Sequence, residues 1–378
     1  MVFLIISLMY GLDLYVGDLK NAFCQSDKLR RPRGRVFVEP CDGLRLPPGS
    51  LIELIAPVYG LDDAPLALHK TTHEFMTQEG YQKASMEPCW FYERHGGRLR
   101  SQVLVEVDDW LIAVAPEIAD DRLARFTGRF KFGKLKQVSQ QGTDFIGRRL
   151  RRMHDRVLVD QEKYILENLR KIELPRERRS NHSRTLLPHE FEEFRSLIYR
   201  LNWVGRESRA EAAGAASMLA SRLNKACIGD VLEANRMVEH LRNTAQVPLI
   251  VWPFRPGRMV FATASDCGGV GGLDNDKVQQ AWQVYAADAS ISEGNLARVT
   301  PTAWRSSRIR RAVPSTLGGE VLALSGAVAE AEWLQMLFMD VTKGGLLTEH
   351  WRDSVGPFTA VLRQDCKLNT DPLDNVNI

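Results

Sequence analysis

Apolar and polar residues alternate from Leu12 to Gly17, and Asp18 follows at the end of the run. A period of two predicts a half-buried strand that delivers Asp18 to its end, with Asn21-Ala22-Phe23 turning the chain afterwards. Two longer apolar runs flank Asp108-Asp109, from Val103 and up to Val114. They read as two buried strands joined by a tight hairpin with the acids at its tip. Shorter strands are expected at 35–39, stopped by Pro40, and at 51–55. Asp62 or Asp63 with Pro65 opens a helix that runs to about Gln78 and stops at Gly80. Gly96-Gly97 turns the chain into the hairpin. Asp160 is a natural helix cap. Phe191, Phe194, Leu197, Ile198 and Leu201 recur at helical spacing and predict a helix from Pro188 to about Glu207. Further helices are expected at 210–224 and 230–244. Strands are expected at 259–266, ending in Asp266, and at 280–286, and a long helix at 315–339, capped by Ser315 or Thr316. The mixture is α/β (α+β).

At 378 residues with an ordinary apolar fraction, the chain is long enough for two or three domains. The net charge of +3 sets up no global basic field. The arginines are nevertheless clustered in Arg148-Arg149-Leu150-Arg151-Arg152, in 176–184 and in 305–311. Such tracks can meet phosphates, or they can be solvated faces. The six cysteines form no CxxC pair, which argues against zinc and disulfide frameworks and for a reducing compartment. The apolar start, 1–10, is too short to span a bilayer and lacks the features of a signal peptide. An intracellular protein, in cytoplasm or nucleus and not at a membrane, is expected.

Two ionised carboxylates at the end of a buried hairpin repel each other and lose hydration. A divalent cation offsets that cost economically, because hard cations take carboxylate oxygens. Asp is also a common turn residue, so the pattern alone leaves a solvated turn open.

Four blocks, in order and spacing, resemble the reverse transcriptase of copia-type LTR retrotransposons. They are Asp18-Leu19-Lys20-Asn21-Ala22-Phe23, Val58-Tyr59-Gly60-Leu61 with Ala64-Pro65, Glu87-Pro88-Cys89-Trp90-Phe91-Tyr92, and Glu106-Val107-Asp108-Asp109 in place of a Tyr-x-Asp-Asp box. Asp144 to Arg148 resembles a family strand that follows the palm. The resemblance implies a polymerase palm sheet with flanking helices over 1–170, a linker and helical thumb or connection over 171–250, and an RNase H-like α/β domain over 251–378. It makes Asp18, Asp108 and Asp109 the catalytic acids, holding two Mg²⁺ or Mn²⁺ ions. It makes Phe23 the residue that crowds the 2′-carbon of the incoming nucleotide, and it sets Arg148 and Arg149 near the primer or template backbone.

In the last domain Ser315-Thr316-Leu317-Gly318-Gly319-Glu320 resembles the helix start of RNase H, and Asp266 the acid on its first strand. Both acids are implied catalytic and metal-binding residues, again of a two-ion site. The third acid belongs to a later block. Asp365, Asp371 and Asp374 are available but stand outside such a block, so an incomplete RNase H site is expected. The implied partners are an RNA template, a DNA primer, an RNA–DNA hybrid and deoxynucleoside triphosphates. Two departures stand out. Glu106 replaces an aromatic and either joins the acids or points away. Only 17 residues precede Asp18, so a fingers segment is expected to be incomplete. The alternative is an inactive retroelement remnant that binds nucleic acid.

Overall fold

The strand signals at 12–20 and 103–114 become the centre of a six-stranded sheet. The structure, a computed structural model, describes every residue except Arg30, Pro32, Arg33, Asp42, 269–277, Ala312, Pro314, 344–358 and 361–378. In chain order its helices are α1 (Val2–Met9), α2 (Ala64–Gln78), α3 (Ala119–Arg129), α4 (Glu162–Asn168), α5 (Arg176–Arg179), α6 (Pro188–Glu207), α7 (Ala210–Ser221), α8 (Ile228–Asn243) and α9 (Thr316–Lys343). Its strands are β1 (Asp13–Leu19), β2 (Val36–Val38), β3 (Ile52–Leu54), β4 (Gln82–Lys83), β5 (Trp90–His95), β6 (Arg98–Glu106), β7 (Asp109–Val114), β8 (Phe132–Gln137), β9 (Thr143–Phe145), β10 (Arg148–Arg152), β11 (Val157–Asp160), β12 (Leu249–Val251), β13 (Met259–Gly268), β14 (Gln279–Asp288), β15 (Val299–Arg308) and β16 (Thr359–Ala360). This is a mixed fold of antiparallel sheets and helices.

The chain divides into two compact units. The first holds Tyr10–Val138 with the end of α9 from Met339. Its sheet runs β4-β5-β6-β7-β1-β8. One face packs on α2 and α3 through Phe75, Met76, Trp110, Phe126 and Phe130, all buried. Trp110 is fully enclosed, with Phe126, Phe130 and Phe132 edge-on at 5.9, 5.2 and 5.6 Å. Burying that much aromatic surface locks the base of the β6–β7 hairpin.

The second unit holds Met1–Met9 and Ser139–Phe338, with β16. Strands β9 to β12 form one antiparallel sheet, in the order β12-β11-β10-β9. Phe194, Leu201 and Val204 of α6 share a core with Leu219 of α7 and Val231, Ala234, Val238 and Leu241 of α8. A second sheet runs β15-β14-β13-β16, with β13 to β15 antiparallel and β16 parallel to β13. Helix α9 is long and apolar enough by length and composition to cross a membrane. Ala323, Ala327, Ala331, Leu334 and Leu337 are buried against protein, whereas Leu317 and Val321 are exposed.

Several expectations change. Both domain boundaries read from the sequence, at 170 and 250, fall inside the second unit, because β11 pairs with β12. The strand read over Asp144 to Arg148 is a hairpin: Ile146 and Gly147 both take positive φ and Phe145 pairs with Arg148. Asp63 stands at the N-cap of α2, but its carboxylate is taken by Arg31 instead of the helix. The 170–187 stretch is mostly exposed, but Ile172, Leu174 and Arg178 within it are buried. Arg178 of α5 is buried and paired with buried Glu190, which in turn accepts from the Leu187 amide at 2.8 Å and caps α6. Strand β15 has no counterpart in the expectations.

Candidate active site

The two-residue loop of the β6–β7 hairpin is Val107-Asp108, not Asp108-Asp109. Glu106 and Asp109 are the last cross-strand pair, and Val107 takes φ 58°. A positive φ is what tight two-residue hairpins require, and for a β-branched residue it is strained. The loop is tied down from the neighbouring strand, since the Leu19 amide donates to the Asp108 carbonyl at 2.8 Å. Asp109 is therefore the first residue of β7, and it lies directly opposite Asp18 of β1. Asp18 in turn lies opposite Lys134 of β8.

Directly opposed residues of antiparallel strands project from the same face. Glu106, Asp109, Asp18 and Lys134 thus form one row across four strands, with Asp108 on the adjoining loop. The row and its loop hold four carboxylates, with Lys134 at the end of the row. Its electrostatics follow: burial, then the charges of Asp108, Asp18 and Glu106, push the Asp109 carboxyl above its usual range. Glu106, left open by the sequence, joins the acids. On β8, Gly133 leaves room for Asp18, because a Cβ there would stand 3.0 Å from the Asp18 Oδ2. Among the described residues, no three His, Cys, Asp or Glu side chains form a ready-made metal-ligand cluster. Register gathers the three Asp; their carboxylates do not converge on one point.

The other sequence blocks pack around this row. A 3₁₀ turn over Ala22–Gln25 follows β1 and holds Phe23 half-buried. Its ring meets Tyr59 edge-on at 4.7 Å, so the first and second blocks touch. Cys89 of the third block accepts the Val105 amide at 2.9 Å, beside the end of β6. Burial, with Glu87 and then Glu106 nearby, raises the Cys89 thiol above its usual pKa.

Arg148 and Arg149 lie on β10, in the other unit. Arg148 is ion-paired with Glu207 at 3.2 Å, and Arg149 donates to the Gln141 carbonyl. Arg151 of the same track meets Asp160, 1% exposed, at 2.9 Å. Most of this basic track therefore binds the protein itself.

Asp266 and Glu320 both act on the Cys267 thiol. Asp266 is exposed near the end of β13, and Glu320 sits in the first turns of α9, which Ser315 caps by accepting the Gly318 amide at 3.1 Å. Cys267 is buried between them. Burial, then the charges of Glu320 and Asp266, with a bond from the thiol to Glu320, push its pKa to about 11. Without a metal the thiol thus stays protonated at neutral pH. Asp365, Asp371 and Asp374 lie outside the described residues. Two acids, without a third in place, make no complete two-ion site among the described residues.

Sequence reasoning had the acids but missed Glu106's place in the row and Lys134 altogether. Fixing the loop at two residues, 107–108, would have found the first; nothing local signals the second. No family model matches the chain.

Proposed function

We propose that the chain is an RNA-directed DNA polymerase of a copia-like retroelement, with an attached RNase H-like domain. The observation that carries this reading is the register that sets Asp18 opposite Asp109 with Asp108 on the adjoining loop. Burial and the neighbouring carboxylates push the Asp109 carboxyl above its usual range, a setting suited to hard divalent cations, and the all-oxygen donor set fits Mg²⁺ or Mn²⁺. Asp18, Asp108 and Asp109 would hold them. When bound, such ions lower the pKa of a primer 3′-hydroxyl and neutralise charge on the phosphoryl group being transferred.

The chain's own residues do the rest. Trp110 and its aromatic neighbours hold the hairpin base rigid, so the acids keep their spacing. Lys134 limits the negative charge that accumulates beside Asp18. Phe23, braced by Tyr59, forms the wall that crowds a ribose 2′-hydroxyl. Asp266 on β13 and Glu320 in the first turns of α9, both acting on the Cys267 thiol, support RNase H ancestry.

The test is addition of deoxynucleotides to a DNA primer on an RNA template with Mg²⁺. Loss of addition in Asp18→Asn, with secondary structure kept, supports the reading. Full addition in that variant overturns it.

A further inference from the structure

Several arginines of the tracks that stand out in the sequence are paired with acids of this chain: Arg148 with Glu207, Arg151 with Asp160, Arg178 with Glu190 and, at the surface, Arg179 with Glu173. Two further cations lie on the solvent face of α6, around an open cleft. Phe194, Leu197, Ile198 and Leu201 turn the other face of this helix into the core. Glu192, Arg195, Ser196, Tyr199 and Arg200, with Tyr164 of α4, line an open cleft of about 530 Å³. That is within the size range of small-ligand sites.

From these groups we infer that the cleft binds single-stranded nucleic acid, with Tyr199 stacking on an unpaired base and Arg195 and Arg200 meeting the flanking phosphates. Tyr199 is 65% exposed, a planar apolar ring offered to solvent. Arg200 is held in place at the cleft wall: its Nη1 donates to the Asn168 carbonyl at 3.0 Å. Its charge also reaches the half-buried Tyr164, whose hydroxyl pKa is raised by burial and lowered in part by that guanidinium. Neither Arg195 nor Arg200 has an ion-pair partner among the described residues. They stand five positions apart on the helix, about 7.5 Å along the axis, so the cleft spans roughly one or two nucleotides. Glu192 and Ser196 add an acceptor and a hydroxyl for sugar and base edges.

The chemistry selects the strand state. Aromatic rings stack on any unpaired base, whereas duplex bases are already stacked on one another. Guanidinium groups supply the phosphate contacts that make such binding salt-dependent. Glu192 beside the arginines disfavours a purely acidic peptide, which offers neither a base to stack nor an amine for the carboxylate.

The inference rests on the polymerase reading only for the class of ligand. The experiment is fluorescence anisotropy of a labelled twelve-nucleotide oligothymidine with the full chain, in EDTA, so that no divalent ion bridges it to the acidic row. Tyr199→Ala is expected to weaken binding about five- to thirtyfold, since stacking on one aromatic ring is of that order. Tyr199→Phe should keep it. Arg195→Ala should weaken binding and reduce the salt slope by about 0.7. Unlabelled duplex or heparin should compete at least tenfold less well than the single strand. Wild-type affinity in both Tyr199→Ala and Arg195→Ala, or equal competition by heparin, overturns the inference. Absence of primer extension with these binding results intact would instead count against the polymerase reading alone.

Discussion

Replacing Gly319 by alanine tests how tightly the start of α9 packs on β13. A Cβ there would stand 2.3 Å from the Cys267 Sγ and 3.3 Å from its Cβ. Non-bonded heavy atoms need about 3.5–4 Å, so something must move by more than an ångström. The thiol is poorly placed to swing aside, being 9% exposed and bonded to Glu320. Overpacking of this kind costs about 1–3 kcal/mol. Against it, alanine in place of glycine gains up to about 1 kcal/mol of helix propensity. A net loss of roughly 0.5–2 kcal/mol is expected in wild type. In a Cys267→Ala background only a methyl–methyl approach remains, and Gly319→Ala should be neutral or stabilising. Urea denaturation of the four proteins should therefore give a coupling of about 1–3 kcal/mol. Additivity within about 0.5 kcal/mol would refute the close packing, and with it the placement of Glu320 beside the Cys267 thiol.

Three further outcomes are expected. Because the Asp109 pKa is raised, the stability tied to it is present below the usual Asp value of about 4 and is lost as pH rises through its folded value. Without divalent ions, Asp109→Asn should thus melt higher than wild type at pH 7, with the gap closing in melts taken towards about pH 3.5. Phe23→Ala should raise ribonucleotide relative to deoxynucleotide incorporation about tenfold or more, equivalent to about 1.4 kcal/mol of lost exclusion; unchanged discrimination would remove Phe23 from that role. Glu190→Gln leaves Arg178 buried without its counter-charge and should cost about 3–5 kcal/mol in denaturant titration, whereas a cost under about 1 kcal/mol would mark the pair as solvated.

Local signals were legible where local chemistry decides. Pro188 opens α6 and the apolar spacing carries it to Glu207, as read from the sequence. The strand bearing Asp18 and the pair flanking Asp108-Asp109 also stand where alternation put them. The hairpin tip moved by one residue, because apolar runs mark the strands but not the closing pair. That shift has consequences, since it puts Asp109 on the strand and brings Glu106 onto its face. The Ile146-Gly147 turn was hidden because an isoleucine in left-handed conformation contradicts local preference. Arg178 looked like part of a solvated track because its partner, Glu190, lies across a turn. Lys134 opposite Asp18, and β11 beside β12, depend on pairing between distant segments, which no local pattern encodes.

The most direct measurement is primer extension on an RNA template in Mg²⁺ or Mn²⁺, comparing wild type with Asp108→Asn at equal folded content. The account predicts extension in wild type and none in the variant, because the variant loses a carboxylate from the loop of the row while the Trp110 base stays intact. Equal extension in both proteins would contradict the assignment of these acids. No extension in either, with salt-dependent nucleic-acid binding retained, would leave the chain a binding remnant and not a polymerase.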